Sequence, residues 1–443
     1  MRKTLRNMIC AVALTGLLSE TTEMSAQGKW PDGTEMSEWF ADTAHVDIAT
    51  LGKQYVVTEY GVRSDDANLV QTEALQRVID TAASNGGGVV VIPNGTYLSG
   101  ALFFKAGTHL HLQKGATLKG IDDIMHYPIK QTRMEGQTLN YFSALVNADG
   151  VNGFTISGQG TIDGNGQRFW REFWKRREYN RQCTNLEAMR PRLIYISNSD
   201  DVKICDVKLQ NSPFWTTHVY RCNRLKIIGT HTFAPHAPVK APSSDAIDVD
   251  NCHDVLISGC YMSVNDDAVV MKGGKGTWAD KDENNGPNTN VLIENCVYGF
   301  VHGCLTLGSE SVSDHNIVLR NCKMNQATRM LWLKMRPDTP QNYEYVTIEN
   351  VTGNCGSFLV VKPWTQFFKP GDREMPVSTC DHITLKGIDV ECKVFYDVES
   401  SDKYELKNFT FEDCKAKSEK DGFDTSIIKG CKVKNVILNG KKK

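Results

Sequence analysis

The amino-acid sequence predicts an all-β protein, a single-stranded right-handed parallel β-helix with a short N-terminal capping helix. Three observations predict it: a strand-like phrase recurs along most of the chain, Gly and Asn turns separate its copies, and one early segment has helical periodicity. At 443 residues the chain exceeds the usual size of one compact core. A solenoid can carry this length as one unit, because each repeat packs only against its neighbours.

The capping helix is predicted over residues 73–83, EALQRVIDTAA, where apolar residues recur at helical spacing. Three glycines at 86–88 and the strand-like VVVIP follow it. We expect this helix to close the first end of the solenoid.

The repeated phrase reads hydrophobic, any residue, hydrophobic, two polar or small residues, then usually a hydrophobic residue or Cys. Its copies begin at Phe154, Val202, Leu225, Val255, Val291, Ile317, Val346, Ile383 and Phe409. From the second copy on, the last position is held by Val207, Thr230, Cys260, Cys296, Cys322, Val351, Ile388 and Cys414, at spacings of 23 to 37 residues. A β-propeller would need larger, more even units, and a globular β-sandwich is the alternative fold.

Exchange of aliphatic residues with Cys at one repeated position predicts that this position is buried and its thiols unpaired. Thirteen of the 14 cysteines follow residue 26, an odd number that cannot all pair. We therefore expect most of them to act as small apolar core residues.

Residues 1–26 are interpreted as an export signal, because basic residues at 2, 3 and 6 precede an apolar run from 8 to 18 and Ser25 and Ala26 offer a cleavage point. A buried helix is the alternative. The run is too short to span a bilayer. We expect a secreted or periplasmic protein, without membrane insertion, whose β-helix domain comprises residues 27–443.

The charge balance gives no basic field for binding nucleic acid, since 50 Lys and Arg oppose 52 Asp and Glu for a formal charge of -2. An acidic ligand would have to be met by local positive charge.

Four successive strands follow copies of the phrase: SDAIDVD, DDAVVMK, HGCLTLG and TRMLWLK, beginning at Ser244, Asp266, His302 and Thr328. The last three start six residues after a phrase ends, whereas the first is aligned by its alternation alone. The alignment predicts two inward columns, Ile247, Val269, Leu305, Leu331 and Val249, Met271, Leu307, Leu333. The columns predicted to face outward are Asp248, Val270, Thr306, Trp332 and Asp250, Lys272, Gly308, Lys334.

The same alignment puts Asp245 in column with Asp267, and Asp266 beside His302. Carboxylates so close raise one another's pKa and oppose folding. Glycoside hydrolysis gives such a cluster a use, since it needs a protonated acid and ionised carboxylates that activate water. A solvated acidic turn or a Ca²⁺ site is the alternative. We expect the cluster to lie in an exposed groove.

The chain resembles glycoside hydrolase family 28, the polygalacturonase family, along nearly all of its mature length. The resemblance is carried by EYGVRSDD, EALQRVID, the segment from Gly86 to Gly120, GQGTIDGNG, NSPFW and the four strands above. The family's Asn-Thr-Asp, Gly-Asp-Asp and Gly-His-Gly motifs correspond here to residues 243–245, 265–267 and 301–303, with every aspartate and the histidine kept.

This resemblance implies Asp266 as the general acid, Asp245 and Asp267 as the pair that activates water, inversion without metal or cofactor, and His302 as a group that holds the acid and the sugar. The family's Arg-Ile-Lys is Trp332, Leu333, Lys334 here, so the Lys that meets a substrate carboxylate remains while its Arg neighbour is replaced. Trp332 can stack on a sugar or seal a coil. Further candidates for contact with the substrate are Lys272, Arg329 and Arg336.

Two insertions, a polar loop rich in Trp and Arg from Gly164 and APHAPVKAPSS from Ala234, are expected to shape the binding face. Closed ends on the cleft would favour removal of terminal sugars. We expect a monomeric exo-acting galacturonidase on pectic oligo- or polysaccharides, including rhamnogalacturonan. The alternatives are a Ca²⁺-dependent pectate lyase and a non-catalytic pectin-binding β-helix.

Overall fold

The computed structural model describes residues 28–369 and 371–443. The predicted signal at residues 1–26 lies outside the described part. The α-helices are α1 Thr72–Ser84 and α2 Gln167–Tyr179, and the 3₁₀ helices are Glu38–Ala41, Ile48–Leu51, Val57–Tyr60, Ile124–His126 and Ala279–Lys281.

The strands, in chain order, are β1 Gln54–Val56, β2 Gly88–Ile92, β3 Gly95–Ser99, β4 Leu102–Phe104, β5 Thr108–Leu112, β6 Ala116–Gly120, β7 Ile129–Met134, β8 Gln137–Phe142, β9 Val146–Asp149, β10 Thr155–Gly158, β11 Thr161–Asp163, β12 Ile194–Ser197, β13 Lys203–Cys205, β14 Lys208–Gln210, β15 Thr217–Tyr220, β16 Asn223–Ile228, β17 His231–Phe233, β18 Ile247–Asp250, β19 His253–Ser258, β20 Tyr261–Ser263, β21 Val269–Lys272, β22 Asn288–Glu294, β23 Val297–Tyr298, β24 Leu305–Leu307, β25 Ser313–Arg320, β26 Lys323–Met335, β27 Asn342–Pro363, β28 Ser378–Val398, β29 Tyr404–Lys407, β30 Thr410–Lys420, β31 Lys432–Leu438 and β32 Lys441–Lys442.

Thirty of these strands form one continuous sheet in which each coil pairs in parallel with the next. The fold is a right-handed parallel β-helix, which confirms the predicted class. The repeated phrase forms one strand in each of nine successive coils. One inward column runs through its third position: Ile156, Ile204, Ile227, Ile257, Ile293, Leu319, Ile348, Leu385 and Phe411.

The column continues beyond the nine copies of the phrase, through Leu110, Val90 and Tyr55 toward the N-terminus. These three coils depart from the phrase in their turns, so sequence periodicity did not mark them as copies.

A left-handed backbone at one repeated position explains why the phrase carries Gly, Asn or Asp before its last residue. Gly259, Asn295 and Asn321 have φ of 65°, 56° and 54°. Only Gly, and less readily Asn and Asp, adopts this conformation at low cost. The residue after the turn is thereby directed inward: Cys260, Cys296 and Cys322 are at most 2% exposed.

The thiols of the described residues are unpaired, and twelve of the thirteen are buried, which confirms their predicted role as core residues. The capping helix is likewise confirmed, because α1 buries Leu75, Val78, Ile79 and Ala82. None of the helices described is long and apolar enough to cross a membrane.

The insertion after Gly164 is helical, so the prediction of a loop there was wrong. Residues 167–179 form α2, and Phe169, Trp170, Phe173 and Trp174 fall on one face at helical spacing. Trp170 is 1% exposed and donates its indole N–H to the carbonyl of Ser212 at 3.0 Å. The many Arg and Glu residues obscured this apolar stripe in the sequence.

Candidate active site

The four strands predicted to stack do so in the predicted register, including the first, which was placed by alternation alone. Ile247, Val269, Leu305 and Leu331 pair in one column, and Asp248, Val270, Thr306 and Trp332 in the next. The side chains that precede these strands therefore meet at one edge of the sheet.

Asp245, Asp266 and Asp267 converge there, with one carboxylate oxygen of each lying within 4.8 Å of the others. Asp245 and Asp267 are 4% and 1% exposed, whereas the Asp266 side chain keeps 30% of its surface open. Asp266 is thus the carboxyl of the three that a bound molecule can reach most directly.

Basic side chains accompany two of the three aspartates. Lys334 donates to Asp267 Oδ2 at 2.8 Å, and His302 Nδ1 lies 3.6 Å from Asp266 Oδ1. Asp245 has no such partner among the described residues, and its Oδ1 is buried without a hydrogen bond.

This asymmetry decides where a proton is held. Burial, together with the charges of Asp266 and Asp248, raises the pKa of Asp245 well above its usual range. Burial alone would also raise the pKa of Asp266, but His302 and then Lys334 lower it overall. Of the three clustered aspartates, Asp245 therefore holds a proton more readily than Asp266, and the buried Asp248 beside them has its pKa raised in the same way.

Apart from the partly exposed Trp332, the outward columns are buried rather than open to solvent, which corrects the expectation of an exposed groove. Asp248 is fully buried, and neither of its oxygens has a hydrogen-bond partner in the described structure. Lys272 is 5% exposed and lies 3.0 Å from Glu310 and 3.9 Å from Asp248. Residues of α2 and of the antiparallel β7–β8 hairpin line the cavity over this face.

The positive charges of Lys272 and Lys334 disfavour the alternative that the three aspartates bind Ca²⁺. The three aspartate oxygens are close enough to hold a cation. However, the Lys334 ammonium already lies against Asp267, and the Lys272 charge is nearby, so a divalent cation would enter against two positive charges.

Trp332 and Trp364 flank Lys334 on the far side of the cluster. Their rings meet edge to face at 5.2 Å, and the Lys334 ammonium lies 4.1 Å and 4.9 Å from the two ring centroids. The Arg329 guanidinium stacks on Trp332 at 3.8 Å. Arg329 has no carboxylate partner within ion-pair distance in the described residues.

Arg336 differs from Arg329, because its guanidinium is fully engaged. It forms a two-pronged pair with Asp338 at 2.7 Å and donates to the carbonyls of Gln366 and Phe367. It thereby fixes the segment that carries Trp364 beside the cavity.

These side chains line one cavity of about 590 Å³. Trp174 of α2 forms one wall and donates its indole N–H to the Lys240 carbonyl at 2.7 Å. The antiparallel hairpin β7–β8 forms another, with Glu135 of its tip lining the cavity.

The hairpin tip closes the cavity at this end. Glu135 lies 3.8 Å from Lys275 and accepts a hydrogen bond from Asn185 at 2.8 Å. Gly136 approaches the facing segment so closely that a Cβ there would lie 2.8 Å from the backbone of Gly274. Below the tip, Arg133 donates to buried Asp250 at 3.1 Å. The cleft is therefore a pocket on this side rather than a through-going groove.

A model of glycosyl hydrolases family 28 matches residues 88–355, more than half of the chain. The chain belongs to glycosyl hydrolase family 28. This confirms the resemblance seen in the sequence, and the matched range contains all three aspartates, His302 and Lys334.

Several known proteins are similar over parts of the chain. A probable polygalacturonase of Vitis vinifera is 28% identical over 47% of this chain and 42% of its own length. An exo-poly-alpha-D-galacturonosidase of Dickeya chrysanthemi is 23% identical over 66% of this chain and 54% of its own. The chain spans about half the length of the relatives it matches.

The fold is shared with a solved exopolygalacturonase of Thermotoga maritima, a hyperthermoactive protein, with a TM-score of 0.70. That match is 22% identical and covers 92% of this chain and 96% of the other. The likeness shows that the family 28 chain keeps its β-helix over nearly its whole length.

Several residues of this family 28 site were not selected from the sequence. Asp248 was placed in the outward column but given no role. Glu310 lies in the segment that connects β24 to β25, which is outside the repeated phrase. Trp364 follows a long strand and was not among the predicted site residues. Glu135 and Gly136 carried a usable signal, since a two-residue turn ending in Gly between alternating residues predicts a hairpin.

Proposed function

We propose that the chain hydrolyses α-linked galacturonic acid in pectic polysaccharides, removing sugars from chain ends. The observation that carries the proposal is the trio of aspartates at the floor of a cavity closed on one side by the β7–β8 hairpin. The names of the similar proteins, exo-poly-alpha-D-galacturonosidase and exopolygalacturonase, support the same substrate and mode of attack.

Asp266 is the proposed general acid, because it is the most accessible of the three carboxyls and lies beside His302. It gives its proton to the glycosidic oxygen as the bond from that oxygen to the anomeric carbon breaks. A water held by Asp245 and Asp267 attacks the anomeric carbon from the opposite face and passes a proton to one of them.

The proton must first move from Asp245 to Asp266. A bound uronate removes Asp266 from solvent and brings a second negative charge near it, and both effects raise the pKa of a carboxyl. Asp245 is then left ionised and able to act as the base. Substrate binding would thus set the protonation of the cluster.

The stereochemical outcome is proposed to be inversion. Two carboxylates this close are typical of retaining enzymes, in which one of them attacks the sugar directly. Here the resemblance to the family implies inversion, and two buried carboxylates beside the acid offer a site for a water. Proton NMR of the first released galacturonate decides: the β-anomer from an α-linkage supports inversion, and the α-anomer contradicts it.

The substrate carboxylate is proposed to meet Lys334 and Arg329, with Trp332 and Trp364 packing on sugar faces. Lys272 stands behind them, held by Glu310. Because Arg336 is already paired with Asp338, its contribution would be to hold Trp364 in position.

The deciding experiment measures products and viscosity together. We expect galacturonate to be released from homogalacturonan or one of the two rhamnogalacturonans while viscosity falls slowly. Rapid loss of viscosity would overturn the exo mode. An unsaturated product absorbing in the ultraviolet would replace hydrolysis with elimination, and affinity without sugar release would indicate a binding protein.

A pectic substrate lies outside the cytoplasm, so we propose a secreted or periplasmic location, as the predicted signal at residues 1–26 would direct. We also propose that the protein acts as a monomer without cofactor. Fractionation of the source cells and size-exclusion chromatography test these points.

A further inference from the structure

A second cavity lies on the other side of the β7–β8 hairpin from the catalytic pocket. It has a volume of about 360 Å³ and shares no lining residue with the first. The hairpin separates them: Arg133 lines the second cavity, whereas Glu135, two residues further on, lines the first.

The second cavity is strongly basic. Four cationic side chains line it, against one carboxylate, that of Asp149. Asp149 is engaged, because it accepts hydrogen bonds from Ser197 at 2.8 Å and Asn198 at 2.7 Å. The cations are Lys130, Arg133, Arg192 and Arg221. Arg133 is already paired with buried Asp250 at 3.1 Å, so the positive excess comes from the other three. In a chain of formal charge -2, this is a local excess of positive charge.

Arg192 is the most unusual of these cations. It is 1% exposed and donates to the Arg133 carbonyl and Thr132, but no carboxylate lies within ion-pair distance of it among the described residues. Its Nη1 also contacts His218 Nδ1 at 2.7 Å, but its Nε has no acceptor in the described structure. Arg133, although paired with Asp250, likewise has no acceptor for Nη1. Buried cations without full compensation are costly, so the site is suited to an anion.

The remaining lining suits a sugar. Tyr195 and Phe103 are partly exposed, and the exposed amides of Gln131 and Asn198 can exchange hydrogen bonds with hydroxyl groups. Lys130 lies 4.1 Å from the Phe103 ring centroid, which directs its ammonium over this surface. An acidic sugar would satisfy both the charges and the polar groups.

We propose that the second cavity binds an uncleaved uronic acid residue of a pectic chain, as an accessory site behind the catalytic pocket. The proposal rests on the proposed function for its choice of polymer. Because no carboxylate pair suited to hydrolysis lines this cavity, the bound sugar would be held and not cut. The site would keep the protein on its polymer while ends are trimmed elsewhere.

The test titrates digalacturonate into the inactive Asp266→Asn protein by calorimetry. We expect two equivalents per chain. Adding Lys130→Glu and Arg221→Glu should weaken the affinity of one of these two binding events about tenfold or more, because two attractive charges become repulsive. The matched control, Lys208→Glu with Lys323→Glu, reverses two exposed charges outside both cavities and should leave both events unchanged.

A single equivalent before charge reversal, or two that the reversal does not alter, would overturn the proposal. Equal binding of neutral galactobiose would also overturn it, since no anion would then be recognised. In the otherwise unmodified protein, the Lys130→Glu and Arg221→Glu pair should leave kcat on trigalacturonate within about twofold, because neither residue lines the catalytic pocket. A clear loss of kcat would place the second cavity in the catalytic machinery.

The two proposals fail separately. Two-site binding by a chain that releases no sugar would remove the hydrolase and keep the accessory site. Hydrolysis by a protein that binds only one equivalent would keep the hydrolase and remove the accessory site. Circular dichroism of each variant shows whether folding is retained, and raised salt should weaken the second event in the unreversed protein.

Discussion

The Lys334 ammonium lies 2.8 Å from the Asp267 carboxylate, and both side chains are almost fully buried although 67 residues separate them in sequence. Asp267 precedes β21, and Lys334 lies two coils further along in β26. The pair joins a predicted catalytic carboxylate to a predicted substrate contact, so its integrity bears on both stability and activity.

Lys334→Met should lower the free energy of unfolding by about 3 kcal/mol, because it leaves the Asp267 charge buried without its partner. Urea denaturation measures this. Lys362→Met provides the matched control: Lys362 pairs with Asp397 where both are a third exposed, and we expect a loss below about 1 kcal/mol. Equal losses in the two variants would contradict the importance of burial.

Asp266→Asn should lower kcat on oligogalacturonides about 10³-fold, since it removes the proposed proton donor. The thermal midpoint should change little, because this side chain is partly exposed. Asp402→Asn, a fully exposed carboxylate, serves as the control and should retain activity. Substantial activity in Asp266→Asn would remove it as the acid.

Asp245→Asn should stabilise the protein increasingly as pH rises. The fold raises the pKa of Asp245 from its ordinary value of 3.8, so between these two values the folded state binds more protons than the unfolded state. Stability from this group is therefore lost as pH rises through that window. Denaturation of both proteins across pH measures it, and a difference that does not depend on pH would show the sign to be wrong.

Gly136→Ala should loosen the hairpin tip and allow cutting within chains. The new Cβ would lie 2.8 Å from the backbone of Gly274. Gly136 also has φ of 71°, a conformation that alanine adopts only with strain. Gly150→Ala is the control, because Gly150 has φ of 67° but nothing within 4 Å of an added Cβ. We expect faster loss of polygalacturonan viscosity per bond cleaved in the first variant alone. Identical behaviour would mean that the tip does not set the mode of attack.

Arg329→Ala should raise KM for galacturonides about tenfold with a smaller effect on kcat, because it removes a cation held over Trp332 beside the pocket. Arg329→Lys should recover only part of the affinity, since Lys lacks the planar stacking group. Initial-rate kinetics on trigalacturonate distinguish the three proteins. An unchanged KM in Arg329→Ala would assign carboxylate recognition to other residues.

The repeat made the solenoid and its register predictable. Because Gly, Asn and Asp mark a left-handed turn before each buried Cys or aliphatic residue, strand phase could be counted along the chain. That count places Asp266, Asp267 and Trp332. The alternation of the first strand alone places Asp245 beside the other two aspartates and Asp248 in column with Trp332.

The segments outside the repeat were less predictable. The sequence predicts a loop at residues 167–179, which form a helix, because the charged residues there mask its apolar stripe. The tip at Glu135 and Gly136 closes the pocket through contacts with residues more than a hundred positions away, which no local pattern encodes.

By itself the sequence determined the coil, the phase of each strand and the meeting of three aspartates, because these depend on local turn conformation and side-chain alternation. Only the tertiary structure decided that the outward face is largely covered, that the pKa of Asp245 is raised while that of Asp266 is lowered, and that the β7–β8 hairpin lies between two cavities. Those properties arise from burial and from charges brought together by distant segments, and local periodicity carries no information about either.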